Sequence, residues 1–177
     1  MGKLYLTRHG QTVWNVENKI CGSTDIELTS LGHEQAIGLG QRIKEEGLSI
    51  VEILASPLVR AKNTAEHISE ITGIPMRIEE LLREQNFGIF EAAPRDSLEF
   101  LEAKKQFVNR FETGESMLMV AKRVYMLLDR LSREDKVYLL VAHNGIARVV
   151  HSYFYDMSNE EFARYSMKNC ALAEYNW

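Results

Sequence analysis

Five polar side chains of this sequence are of types that could together carry out phosphoryl-transfer chemistry. Arg8 and His9 are adjacent, and Arg60, Glu84 and His143 follow at wide spacings. Guanidinium groups bind phosphate through paired hydrogen bonds and keep their charge at any working pH. A neutral imidazole can attack phosphorus and form a covalent phosphoenzyme, while a second imidazole and the arginines stabilise the equatorial oxygens. A carboxyl group could protonate the leaving oxygen and later deprotonate the attacking water.

Each of these residues also has a structural interpretation when it is considered alone. An Arg-His-Gly tripeptide can arise by chance, and Arg60 at a helix start is commonly a solvated charge. Glu84 ends a charged run that would usually form an exposed face. His143 is more informative, because a polar residue directly after a buried strand requires a reason. The functional interpretation therefore depends on whether the fold brings these residues together.

The elements predicted around these residues would place them at one edge of a sheet. Short β-branched or aromatic runs alternate with amphipathic helical segments, which is typical of an α/β three-layer sandwich. We expect a mostly parallel central sheet with helices on both faces. The predicted strands are Lys3–Thr7, Glu52–Ala55, Met76–Ile78, Val137–Ala142 and Ala171–Trp177. Because ligands of open α/β sheets bind beyond the carboxyl ends of strands, the loops that follow these strands should converge on one crevice.

Capping residues and apolar spacing predict where two of the helices begin. Thr29 or Ser30 would cap a helix over Leu31–Glu46. Ser56 as N-cap and Pro57 as first helical residue would open the next helix. Its buried face would consist of apolar residues at spacings of three and four, namely Leu58, Ala61, Ala65 and Ile68.

The stretch Phe87–Glu115 does not fit the alternation of strands and helices. A helical pattern of apolar residues runs through it, marked by Leu98, Leu101, Phe107 and Phe111. We expect a short helical insertion that leaves the sheet and lies over the site. No internal repeat or low-complexity tract is present, so residues 1–177 are predicted to form a single domain.

Composition and charge exclude several classes of function. The chain has 177 residues and a formal net charge of −4 without a basic tract, so we expect no binding to nucleic acid. The apolar runs are too short to span a bilayer and the N-terminus lacks a signal-peptide pattern, so we expect no membrane association and a cytoplasmic location. The 2 cysteines are far apart, which argues against a disulfide. No motif for a metal or an organic cofactor is present, and none is predicted.

The remaining polar and sulfur-containing residues are predicted to serve packing. The other histidines lack partners at ligand spacing and are expected at the surface or in packing contacts: His33, His67 and His151. Helical methionines are expected to fill the core: Met117, Met119 and Met126. Cys21 lies in a loop that would border the crevice and is predicted to be a buried, unreactive thiol.

Taken in order, these motifs resemble the signature of the histidine phosphatase superfamily, in its phosphoglycerate-mutase-like branch. The segments on which the resemblance rests are Leu6–Asn15, Ser56–Ala65, Leu82–Gly88, Gly114–Ser116 and Val141–Gly145. Together they are highly specific. The resemblance implies the same α/β fold and chemistry without a metal or organic cofactor.

The resemblance also implies a role for each candidate residue. His9 would be the nucleophile that becomes phosphorylated, and Glu84 the proton donor. The phosphate pocket would be completed by Arg8, Arg60 and His143. Phosphate or substrate would also contact three further residues or their backbone: Asn15, Gly22 and Asn144. The sequence departs from the family where Asn144 precedes Gly145, and where the acid-bearing loop reads Phe90-Glu91-Ala92 instead of Trp-Glu-Gly.

The expected activity is hydrolysis of a phosphomonoester, and the expected partner is a small phosphorylated substrate. A mutase must retain a bisphosphorylated intermediate and needs additional basic groups. In the insertion, the basic residues are interspersed with glutamates, which favours a phosphatase. The basic residues are Arg95, Lys104, Lys105 and Arg110, and the glutamates are Glu99, Glu102 and Glu112. Mutase activity and a weakly active phospho-ligand binding protein are the alternatives. The oligomeric state does not follow from the sequence.

Two further expectations concern the substrate and the pH. The aromatic residues Trp14, Phe87 and Phe90 favour a partly apolar leaving group, such as a nucleoside-like or cofactor-precursor phosphate. Neighbouring arginines should lower the pKa of His9 from its reference value of about 6.5. Activity should therefore favour mildly acidic to neutral conditions.

Overall fold

A five-stranded sheet forms the middle layer of the computed structural model, which describes residues 2–177. The strands are β1 (Lys3–Arg8), β2 (Glu52–Ala55), β3 (Met76–Ile78), β4 (Tyr138–Ala142) and β5 (Leu172–Asn176). Their order across the sheet is β3-β2-β4-β1-β5. Strands β1 to β4 are parallel, and β5 pairs antiparallel with β1 at the edge. The prediction of a mostly parallel sheet is confirmed.

Helices cover both faces of this sheet and complete the three layers. They are α1 (Val13–Val16), α2 (Ser30–Glu45), α3 (Val59–Thr72), α4 (Leu98–Ala103), α5 (Met117–Leu131), α6 (Asn144–Phe154) and α7 (Asn159–Arg164). Helices α2 and α3 pack against the strand residues that face one side, including Ile53, Leu139 and Val141. Helices α5 and α6 pack against the alternate residues, including Leu54 and Leu140. The apolar run of β4 is thus buried on both faces, as predicted for a central strand.

The start of α3 differs from the prediction. Ser56 and Pro57 do not cap it, and the helix begins at Val59 with Leu58 in the N-cap position. The Ser56 amide donates to the Val141 carbonyl at 3.0 Å and continues the sheet pairing. Because that holds the chain extended, the helix starts later and its first amide, on Val59, donates to Asp25 Oδ1 at 2.7 Å. A carboxylate from a distant loop thus supplies the cap that the local sequence was expected to provide.

The insertion contains less helix than its apolar spacing predicts. Only Leu98–Ala103 is α-helical, beside a single 3-10 turn at Gly88–Phe90, and the backbone of Phe111 and of Glu112 turns through positive φ values of 53° and 63°. Four phenylalanines cluster there with ring centroids 5.5 to 6.0 Å apart: Phe87, Phe90, Phe100 and Phe111. These aromatic contacts fold the insertion back on itself and therefore replace the longer amphipathic helix.

The methionines of α5 only partly match the expectation of core packing. Met117 is buried, but Met119 and Met126 are 41% and 58% exposed. The buried face of α5 consists instead of Val120, Val124, Leu127, Leu128 and Leu131. Among residues 2–177, no helix has the length and apolar character needed to cross a membrane.

Candidate active site

A cavity of about 180 Å³ opens beyond the carboxyl ends of β1 and β4. Arg8, His9, Glu84, Asn15 and Asn144 are among the residues that line it. The remaining predicted site residues, Arg60, Gly22 and His143, are buried behind this lining. The loops after the strands therefore do converge on one crevice, but in two layers.

His9 is held at the end of β1 as a neutral imidazole. Its amide donates to the Ala142 carbonyl at 3.0 Å, which extends the pairing of β1 with β4. Its Nδ1 lies 2.7 Å from the Gly10 carbonyl oxygen, which can only accept, so Nδ1 must be the protonated nitrogen. Burial holds the pKa of His9 well below its usual value, and the charges of Arg60 and Arg8 lower it further. Nε2 is therefore left with a free lone pair.

His143 directly follows β4, and its ring centroid lies 5.2 Å from that of His9. Its Nε2 is 2.7 Å from the Ser56 hydroxyl, which also accepts from the Leu58 amide at 3.4 Å. The hydroxyl can donate its proton to Nε2, and in that tautomer the ring carries its proton on Nδ1. Within residues 2–177, this buried Nδ1 has no hydrogen-bond partner. Burial, followed by the charge of Arg60, lowers the pKa of His143 well below its usual value.

The two arginines differ in how they reach the site. Arg8 lines the cavity and donates from Nη1 to the Met167 carbonyl at 2.8 Å. Burial is the main cause that lowers its pKa to about 10, followed by the charge of Arg95. Arg60 is fully buried, and its two terminal nitrogens donate to the carbonyls of Thr24 at 2.9 Å and Gly22 at 2.7 Å. In the described part of the chain, the Nε atoms of Arg8 and Arg60 are buried without a partner.

Glu84 lies in the cavity wall with 4% of its surface exposed. Its Oε2 accepts from the Gly145 amide at 3.0 Å, and its Oε1 accepts from the Gln85 amide at 2.9 Å. A Cβ at position 145 would collide with this carboxylate. Glycine is therefore required two residues after His143, even though Asn144 separates them.

The three residues expected to contact substrate make contacts within the protein as well. Asn15 Oδ1 accepts from the Thr12 amide at 3.1 Å, and Asn144 Oδ1 accepts from the Met167 amide at 2.8 Å. Both residues line the cavity. Gly22 does not line it: its carbonyl accepts from Arg60 and its amide donates to Glu91 Oε2 at 3.2 Å. The backbone of Gly22 thus orients an arginine in this structure.

Glu91 was named from the sequence only as part of the Phe90-Glu91-Ala92 segment and was given no role, yet it ties two loops of the site together. Its carboxylate accepts hydrogen bonds from the amides of Gly22, Ser23, Thr24 and Phe87 and from the Thr24 hydroxyl. These donors include both residues whose carbonyls hold Arg60. The sequence offered no local signal, because the partners lie up to 69 positions away.

Four further cations line the cavity: Arg95, Lys104, Arg148 and Arg164. The interspersed acidic residues of the insertion, Glu99, Glu102 and Glu112, are exposed and lie outside this lining. Arg95 and Lys104 therefore line the cavity without the glutamates that are interspersed with them in the sequence. Arg148 could have been found from the sequence, because it lies four residues after Asn144 and hence on the same face of α6.

The remaining expectations about cavity residues are partly met. Of the aromatic residues, Phe87 lines the cavity, whereas Phe90 packs on Phe100 and Trp14 lies beneath the Lys19 ammonium. Cys21 lines the cavity and is only half-buried, and burial raises the pKa of its thiol to about 11. The thiol is therefore protonated, in line with the expected low reactivity.

The other histidines make packing contacts, as expected. His33 Nδ1 lies 2.8 Å from His67 Nε2, and His151 stacks on Tyr165 with ring centroids 4.6 Å apart. Over residues 2–177, no group of three or more histidine, cysteine, aspartate or glutamate side chains is placed to hold a metal ion.

The fold and this site define a member of the histidine phosphatase superfamily. The model of branch 1 of that superfamily matches residues 4–177, and the chain belongs to it. The superfamily includes phosphatases and mutases.

Individual relatives carry both kinds of name. A probable phosphoglycerate mutase GpmB of Yersinia pestis (strain Pestoides F) is 34% identical over 187 residues, covering 100% of this chain and 86% of the relative. A solved mycobacterial glucosyl-3-phosphoglycerate phosphatase in complex with VO3 has a TM-score of 0.83 and 25% identity, covering 97% of this chain and 90% of that one. The structure of TTHB049 from Thermus thermophilus has a TM-score of 0.79 and 28% identity, covering 99% of this chain and 94% of that one.

Proposed function

We propose that this protein is a metal-independent phosphomonoester hydrolase that acts on a small phosphorylated metabolite through a phosphohistidine intermediate. The observation that carries the proposal is the state of His9. Its Nδ1 proton is committed to the Gly10 carbonyl, and burial keeps the ring neutral, so Nε2 is a nucleophile ready to react. Its place in the cavity lining gives a substrate access to it.

In the first step, His9 Nε2 attacks phosphorus in line with the leaving oxygen. The N–P bond forms as the P–O bond breaks, and Glu84 in its protonated form donates a proton to the leaving oxygen. The charge on the equatorial oxygens is met by Arg8, by the field of Arg60 and by the Nδ1 proton of His143. These groups supply the electrostatic stabilisation that a metal ion provides in other phosphoryl-transfer enzymes.

In the second step, water attacks the phosphohistidine. Glu84, now ionised, accepts a proton from the water as the new O–P bond forms and the N–P bond breaks. His9 is released neutral, inorganic phosphate leaves, and Glu84 regains its proton. The two backbone amides that hold the Glu84 carboxylate keep it in place for both proton transfers.

Phosphoryl transfer of the mutase type is the second candidate. It is favoured by the extra cations that line the cavity, since a bisphosphorylated intermediate needs positive charge beyond the first phosphate site. The GpmB relatives named as probable phosphoglycerate mutases favour it as well. Hydrolysis remains the preferred proposal, because every step needs only the groups around His9.

The test is phosphate release from a panel of phosphomonoesters in the presence of EDTA. We expect release that survives EDTA and disappears in His9→Ala, with an acid-labile phosphoenzyme in the wild type. His33→Gln, which changes a histidine outside the cavity, is the matched control and should retain activity. Conversion of 3-phosphoglycerate to 2-phosphoglycerate without phosphate release would favour the mutase. Binding of phosphorylated ligands with neither reaction would contradict both enzymatic proposals.

A further inference from the structure

The cavity contains more positive charge than one phosphoryl group requires. Its lining includes Arg8, Arg95, Lys104, Arg148 and Arg164, whereas Glu84 is the single acidic residue among the lining residues. Arg8, together with the buried Arg60, already serves the reacting phosphate. The other four cations come from three separate elements, the insertion, α6 and α7, so local sequence does not account for their proximity.

Three of them, Arg95, Lys104 and Arg148, lie close enough to destabilise one another. Burial lowers the pKa of Lys104, and the charges of Arg148 and then Arg95 lower it further. Burial also lowers the pKa of Arg148. The charge of Glu84 raises this pKa, and the charge of Arg95 lowers it further. Like charges that are half-buried together cost free energy unless an anion compensates them. Their arrangement therefore calls for a negatively charged group.

Among residues 2–177, the protein provides a single acidic group in the cavity lining, Glu84, for all of these cations. None of the ion pairs formed by these residues involves Arg95, Lys104 or Arg148. The side chain of Arg95 donates one hydrogen bond, to the Lys19 carbonyl at 2.9 Å. The Nε of Arg148 is buried at the cavity wall and, among the described residues, has no partner. A buried guanidinium nitrogen without an acceptor costs free energy, so the charge of Arg148 is only partly compensated by the protein.

We propose that Arg95, Lys104 and Arg148 form a second anion subsite, which binds a carboxylate or a second phosphate on the leaving group of the substrate. This proposal rests on the proposed function and narrows its substrate class to phosphomonoesters that carry a further anionic group. It replaces the nucleoside-like leaving group expected from the aromatic residues. Apolar residues such as Phe87 and Phe100 line the same cavity and would contact the carbon skeleton between the two anions.

Matched substrate pairs test the subsite directly. Glycerol 3-phosphate and 3-phosphoglycerate differ by the replacement of a hydroxymethyl group with a carboxylate. Fructose 6-phosphate and fructose 1,6-bisphosphate differ by a second phosphate. In at least one pair, we expect the wild type to favour the member with the additional anionic group in kcat/KM by about tenfold or more, as for a partly desolvated charge contact. The pair that shows the preference identifies the anion as carboxylate or phosphate.

Lys104→Met is the variant of choice, because it removes the charge and retains most of the side-chain length. We expect it to lower the preference ratio about tenfold. Lys105→Met is the matched control: this exposed neighbour pairs with Glu102 and lies outside the cavity lining, so the ratio should not change. Arg148→Met should lower the ratio as well. Because Arg148 is packed in the wall, only a variant with wild-type circular dichroism counts.

The proposed function and the subsite can fail separately. Phosphate release that depends on His9 but shows no preference in either pair, or an unchanged ratio in Lys104→Met, would overturn the subsite and leave the hydrolase intact. If no substrate is turned over, calorimetric titration with 3-phosphoglycerate and with fructose 1,6-bisphosphate decides. Affinity for at least one of them that weakens about tenfold in Lys104→Met would support the subsite without hydrolysis. Equal affinities in both proteins, or no binding, would overturn it.

Discussion

The Glu91 carboxylate offers a sharp test of how the loops of the site are held. It accepts from four backbone amides and one hydroxyl. Glu91→Gln keeps the size of the side chain but replaces one acceptor oxygen with an NH₂ donor. Oε1 accepts from Ser23 and Phe87, and Oε2 accepts from Gly22 and Thr24. In either orientation of the amide, at least two N–H groups would therefore face a donor.

The expected cost follows from the number of bonds lost. A hydrogen bond to a charged group contributes about 1.5 kcal/mol net at the lower end, so losing two costs about 3 kcal/mol of unfolding free energy. For a chain of this size, that corresponds to a fall in Tm of about 6–12 °C. Catalysis should fall too, because the carbonyls of Gly22 and Thr24 orient Arg60. We expect kcat to decrease more than KM increases, since Arg60 acts on the transition-state charge.

The measurements are thermal unfolding by circular dichroism and steady-state phosphate release at a fixed pH. Glu99→Gln changes an exposed carboxylate of the same insertion and serves as the control, with stability and kcat close to wild type. Glu91→Asp keeps the charge and should recover part of kcat, which a purely structural role would not require. A Glu91→Gln protein that unfolds within about 0.5 kcal/mol of wild type, with unchanged kcat, would refute the reasoning.

Further predictions concern the two histidines and the groups that position them. In Gly145→Ala, the new Cβ should displace the Glu84 carboxylate and lower kcat about 100-fold for alkyl phosphates. The kcat for p-nitrophenyl phosphate should fall much less, because its leaving group needs little protonation. Gly38→Ala is the control, because a Cβ there meets open space, and it should stabilise α2 by about 1 kcal/mol. Ser56→Ala should leave the His143 Nε2 without its donor and lower kcat about tenfold or more. Because the pKa values of His9 and His143 are lowered in the folded protein, the unfolded chain binds protons on these two rings that the folded protein does not bind. The stability that the two neutral rings contribute is therefore complete above about pH 6.5 and is lost as the pH falls below that value. In urea unfolding between pH 5 and 6.5, His143→Gln should reduce the slope of stability against pH by up to about 1.4 kcal/mol per unit.

Several results would contradict these expectations. Equal losses of kcat on alkyl phosphates and p-nitrophenyl phosphate in Gly145→Ala would mean that the carboxylate does not protonate the leaving oxygen. Unchanged kcat in Ser56→Ala would mean that the hydroxyl does not set the tautomer of His143. A stability slope that is the same in wild type and His143→Gln would mean that this ring titrates alike in the folded and unfolded chain.

The architecture could be predicted from the sequence because its determinants are local. The strand bounds of β2 and β3 match the prediction, and β1 and β4 differ by one residue. Apolar runs, capping residues and the spacing of Ala61, Ala65 and Ile68 depend on neighbours within a few positions along the chain. Since parallel strands of an α/β sheet end at one edge, the same patterns also predicted that Arg8, His9, Glu84 and His143 would meet in one crevice.

Only the tertiary structure decided which groups act on these residues. Ser56 was expected to cap a helix, but folding places its hydroxyl on His143, 87 positions away, and a carboxylate from another loop caps the helix instead. The grouping of Lys104 with Arg148 depends on how the insertion packs over the cavity. A local pattern contains no information on such contacts, because their partners are chosen by the packing of the whole chain. The sequence by itself therefore determined the fold and the candidate site residues, whereas tertiary packing determined their hydrogen bonds, their orientation and the charge of the cavity.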